Sequence, residues 1–94
     1  MQSILPFSIN EHYELYEFQL DPYEDLGRLD KYKYVGSEYQ KILDYPVEEI
    51  ILGYNLDFLR VAEATLDTQE INAATGNRIL MKIILFDEGY GEFI

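Results

Sequence analysis

His12, flanked by Glu11 and Glu14, is the one histidine in the 94 residues and the first place to look for acid–base chemistry. An imidazole beside carboxylates can act as a general base, but it needs a nucleophile to serve. The chain has no cysteine, and its serines are Ser3, Ser8 and Ser37. Ser8 and Ser37 read as helix caps, and none of the three lies in a nucleophile-elbow pattern. The expectation is a protein that is not an enzyme, without catalytic residues.

Carboxylates are the plentiful group. Asp21-Pro22-Tyr23-Glu24-Asp25 and Asp87-Glu88-Gly89-Tyr90-Gly91-Glu92 supply hard oxygen ligands of the kind Ca²⁺ or Mg²⁺ takes. Neither has the spacing of an EF-hand loop, and zinc would want histidines that the chain does not possess. Gly89 and Gly91 sit among acids that repel phosphate. No metal and no cofactor is therefore expected, and a divalent-cation-binding module is the third reading of function.

Tyrosine set among carboxylates is the remaining constellation. There are nine tyrosines and no tryptophan. A tyrosine ring buries a large area at low entropic cost and keeps a hydroxyl for hydrogen bonding, which suits it to interfaces. Glu11, Tyr13, Glu14, Tyr16, Glu17, Tyr23, Glu24 and Asp25 together read as a partner-binding surface: aromatic anchors with a charged rim. The plainer alternative is that the rings cover a small core in a β-rich fold.

The charge balance points the same way. Eighteen acidic against seven basic residues give a net charge of -11. Residues 1 to 25 carry six acids and no base. Direct nucleic-acid binding needs clustered Lys and Arg, so it is disfavoured, as are anionic membrane surfaces. An acidic surface favours fast, salt-sensitive association with a basic protein surface, or serves solubility alone. Absence of cysteine fits a cytoplasmic protein, and the sequence shows neither a basic signal-peptide start nor 18 consecutive apolar residues.

The elements that must hold these residues are read from periodicity. Arg78 to Phe86 is the most apolar run, bounded by Gly76-Asn77 and Asp87-Glu88-Gly89, and it reads as the central strand. Residues 12 to 20 are ambiguous. As a helix, Ser8 caps it with Glu11 as capping-box partner; as a strand, His12, Glu14, Tyr16, Phe18 and Leu20 share one face and Tyr13, Leu15, Glu17 and Gln19 the other. Strand is preferred, because aromatics sit on both parities and Asp21-Pro22 closes the run. Residues 26 to 41 reverse to net positive, with a strand near 31 to 36 expected to pair with the acidic first strand.

Ser37-Glu38-Tyr39-Gln40 is a capping-box pattern that opens a helix ended by Pro46, near 38 to 45. Val47 to Gly53 is too short and apolar for its period to decide between strand and helix. Residues 57 to 66 alternate as a strand. Asp67 to Asn77 is long for a hairpin loop, so it is either functional or its strands run on to a tip at Thr75-Gly76-Asn77.

The expected fold is one α+β domain: an antiparallel sheet of about four strands (12 to 20, 31 to 36, 57 to 66, 78 to 86) with one or two short helices packed on one face. The expected function is that of an inhibitor or immunity-type protein occupying a basic surface of a nucleic-acid-handling enzyme. Nucleic-acid mimicry is a geometric option, since same-face carboxylates on a strand lie roughly 7 Å apart. Only Glu11 and Glu17 share a parity, so any mimicry would be assembled from several elements. The alternative is a structural or assembly subunit forming a homo-oligomer through tyrosine-rich surfaces.

Overall fold

A computed structural model describes residues 5–23 and 29–87. Its architecture is one antiparallel sheet, not α+β. The strands are β1 (Leu20–Pro22), β2 (Asp30–Tyr34), β3 (Lys41–Ile42), β4 (Tyr45–Asn55), β5 (Phe58–Ile71) and β6 (Arg78–Phe86). They run in the order β1-β2-β4-β5-β6, with β3 pairing β4 off that path. Among the described residues the only helical pieces are two single 3-10 turns, Tyr13–Leu15 and Glu17–Gln19.

The helix expected over 38 to 45 does not form. Its capping-box residues lie in bends, and Leu43-Asp44, both at positive φ, make the two-residue turn of a tight hairpin between β3 and β4. Pro46 sits near the start of β4, where a strand tolerates the missing N–H. Val47 to Gly53, which periodicity left open, is the middle of β4. It shows no alternation because Ile50, Ile51, Leu52, Gly53 and Tyr54 are all buried, so both faces of the strand are covered.

The strand expected over 12 to 20 shrinks to β1. Where it exists, β1 pairs with β2 as charge suggested, with Asp21 opposite Lys33. The polar link after residue 66 is resolved as strand: β5 continues to Ile71 through an irregularity between Asp67 and Ile71, and only residues 72–77 turn. Arg78 to Phe86 is a strand, but it is the last in the sheet and not the central one. Among the described strands the most apolar is an edge.

One sheet face carries the core. Ile50 and Leu52 of β4, Ala62, Ala64 and Leu66 of β5 and Tyr34 of β2 lie on it, with Met81, Ile83 and Leu85 of β6 packed alongside. Leu5, Phe7, Tyr16 and Ile42 belong to the same cluster with Tyr39 packed against it, so the N-terminal segment, the β2–β3 link and β3 cover the sheet in place of a helix. Phe7 meets the rings of Tyr16, Tyr34 and Tyr39 edge-on at 5.4 to 5.9 Å between centroids, geometry that adds to area burial. On the opposite face Gly53 allows close packing, since a Cβ there would stand 2.6 Å from Val61 Cγ1 and 3.2 Å from Leu29 Cδ1.

Candidate functional site

The segment singled out by its acids, residues 11 to 23, is pinned to the turn joining β4 and β5. Asn10 N–H donates to the Leu59 carbonyl, Leu59 N–H to Glu11 and Tyr13 N–H to Asp57. Glu11 also accepts from the Ser8 N–H, and the His12 ring accepts from Glu14 N–H and so caps the first 3-10 turn. A cap and an edge-on contact with Phe58 at 5.3 Å account for the histidine.

The two 3-10 turns sort the side chains by threes, because at about three residues per turn positions i and i+3 eclipse. Tyr13 and Tyr16 form the inward row: Tyr16 is buried, and Tyr13 is half-buried against Tyr32 and Tyr54. Glu14 and Glu17 form a second row, exposed and half-buried, with the Tyr13 hydroxyl donating to Glu17 at 3.3 Å. Leu15 and Phe18 form the third and face solvent, with Phe18 92% exposed. A strand would have put Tyr16 and Phe18 on one side; the turn puts them on opposite sides.

The eight residues of the sequence-derived surface therefore divide. Glu14, Glu17 and Tyr23 reach the surface. Tyr16 is a core residue and Tyr13 packs half-buried against the core, and burial holds both phenols above their ordinary pKa. Glu11 is half-buried, one carboxylate oxygen is enclosed without a hydrogen-bond partner, and burial raises its pKa. Glu24 and Asp25 lie outside the described residues, as do residues 88–92 of the second acidic loop weighed for metal binding.

Leu15 and Phe18 are the residues that sequence reasoning missed. The available signal was the spacing: Tyr13/Tyr16 and Leu15/Phe18 are both three apart, which a strand sends to opposite faces and a helical turn keeps on one. The surface so formed is acidic with an apolar row, and no base occurs between residues 5 and 23.

Elsewhere, a groove of about 360 Å³ opens between the end of β2 and the start of β4, with Lys33, Glu48 and Glu49 among its lining residues. Its lining includes no histidine and no serine. Among the described residues no three acidic or histidine side chains converge as a metal site would require. No helix among them is long and apolar enough to cross a membrane. No protein-family model matches the chain, and no curated protein or solved structure matches it either.

Proposed function

We propose that the chain is a binding protein whose acidic N-terminal turns engage a basic protein surface, in the manner of an inhibitor or immunity-type protein directed at a nucleic-acid-handling enzyme. The supporting observation is Phe18, 92% exposed and one residue from Glu17 in a segment without bases. An apolar anchor beside carboxylates has the composition of an interface centre with a charged rim. The carboxylates speed encounter with a cationic surface, and Leu15 and Phe18 supply area to bury once docked. A cytoplasmic setting fits the absence of cysteine.

Mimicry of a phosphate ladder along one strand has no support, because residues 11 to 19 are not a strand. The alternative, a homo-oligomer through tyrosine-rich surfaces, has less tyrosine to draw on, since Tyr16, Tyr34 and Tyr54 are buried within the subunit while Tyr23 is exposed.

The test begins with the chain immobilised and host extract passed over it at low and high salt. A retained nucleic-acid-handling enzyme, displaced by duplex DNA, is then measured against variants. Glu14→Lys with Glu17→Lys is expected to slow association about tenfold or more, and Phe18→Ala to speed dissociation. Association that is indifferent to the charge reversal, or a captured partner without a basic surface, would sink the reading.

A further inference from the structure

We propose that the outer edge of β6 pairs antiparallel with β6 of a second copy of this chain, with the twofold axis at Ile83. The two edges of the sheet are treated differently. At one end β1 is three residues long and contains Asp21 and Pro22, two of the devices by which natural sheets refuse further strands. At the other end β6 is nine residues long with Lys82 as its one interior charge, and its outer-face side chains Leu80, Ile84 and Phe86 are 47 to 52% exposed. No described strand pairs with that edge.

Backbone directions follow from the ladder with β5. Asp87 N–H donates to the Arg60 carbonyl, which makes residues 60 and 87 a hydrogen-bonded pair. Pairs alternate along an antiparallel ladder, so Leu85, Ile83 and Met81 also turn their backbone groups toward β5. The Thr68 hydroxyl donating to the Ile79 carbonyl agrees with that phase. Leu80, Lys82, Ile84 and Phe86 consequently aim their N–H and C=O groups out of the sheet.

The occupant is a second β6 because the strand is complementary to itself in one register. A twofold axis at Ile83 sets Leu80 opposite Phe86, Lys82 opposite Ile84, and Met81 opposite Leu85. Every outward-pointing backbone group then meets another, apolar side chains meet on both faces, and no like charges face each other. An axis at Lys82 would oppose two lysines instead. In a molecule of net charge -11 the nine residues of β6 contain Arg78 and Lys82 and no acid, so the strand itself brings no carboxylate to the junction between two copies.

The chain's lack of cysteine makes the register directly measurable. Across the axis the Ile83 pair is a non-hydrogen-bonded one with Cα atoms about 4.5 Å apart, within disulfide reach. Under mild oxidation Ile83→Cys is expected to convert to a covalent dimer, while Leu85→Cys, which faces Met81 of the other copy, stays monomeric. Equal cross-linking of both, or of neither, overturns the proposal. Sedimentation of the wild-type chain is expected to give a doubled mass that dissociates on dilution and strengthens with NaCl. Ile84→Pro removes an N–H that points away from β5, so it is expected to fold and remain monomeric. A wild-type chain that stays monomeric at every concentration overturns the pairing. The charge reversals at Glu14 and Glu17 are expected to leave the dimer intact and Ile84→Pro to leave partner association intact, so the two readings fail separately.

Discussion

Glu11 shows how one carboxylate can be unsuited to the role its sequence position suggests. Its carboxylate accepts the Ser8 N–H, yet the other oxygen is enclosed without a partner and burial raises its pKa above the ordinary 4.5. The folded chain thus holds this proton more tightly than the unfolded chain does. Stability contributed here is fully present below the ordinary carboxylate pKa and is lost as pH rises through the raised folded value, leaving the ionised group a net cost at neutral pH. Glu11→Gln keeps an acceptor for Ser8 and removes the charge. Urea midpoints measured from about pH 3 to pH 7 are expected to coincide with wild type at the acid end and to favour the variant at neutral pH. A variant less stable at pH 7 would mean that the carboxylate has a cationic or hydrogen-bonding partner after all. Tyr13 and Tyr54 offer a second contrast, since the Tyr13 hydroxyl donates to Glu17 while that of Tyr54 is buried without a partner. Denaturant titration is expected to show Tyr13→Phe losing about 1 kcal/mol and Tyr54→Phe losing nothing.

Among the elements, the hairpin turn Leu56-Asp57 carries a penalty that could be removed. Both residues have positive φ, 51° and 69°, in a two-residue link where Asn-Gly is the favoured pair. Leu56 is 81% exposed, so its side chain contributes little packing. The Asp57 carbonyl that receives Tyr13 N–H is backbone and survives substitution. Leu56→Asn with Asp57→Gly is therefore expected to raise stability by about 1 kcal/mol in a thermal or urea melt; a loss would show that the leucine packs on something. Absence of Asn-Gly is also why this turn and its twin at Leu43-Asp44 were hard to read. Punctuation was legible where conventional: Gly76-Asn77 marked the start of β6, and alternation from Phe58 marked β5. What could not be read was set by tertiary context. β4 lost its alternation by being covered on both faces, and β6 looked central because both parities are apolar, although only Met81, Ile83 and Leu85 face the core. At the candidate surface Glu14 and Glu17 were legible from charge alone. Tyr13, Tyr16, Leu15 and Phe18 needed a spacing of three, which the preferred strand reading does not have.

At the scale of the whole molecule, acids outnumber the cations that could neutralise them. Arg60 pairs with Asp87 at 3.0 Å, Arg78 with Glu48 and Asp67 at 2.7 and 2.5 Å, and Lys82 with Glu63 at 2.8 Å. With three bases so engaged and a net charge of -11, the folded chain repels itself. The range of that repulsion depends on salt: the screening length is about 30 Å at 0.01 M and about 8 Å at 0.15 M. Set against extents of 43 × 30 × 29 Å, charges across the whole molecule interact at the lower ionic strength and only near neighbours do at the higher. Unfolding spreads the charges apart, so NaCl added over this range is expected to raise the urea midpoint, and a neutral osmolyte at equal osmolality separates screening from general exclusion effects. The same salt is expected to slow association with a basic partner and to strengthen β6 pairing between copies, because the first brings opposite charges together and the second like ones. A folded state that loses stability on adding NaCl would mean that its ion pairs outweigh its self-repulsion, and the acidic surface would then be part of the scaffold instead of a field available to a partner.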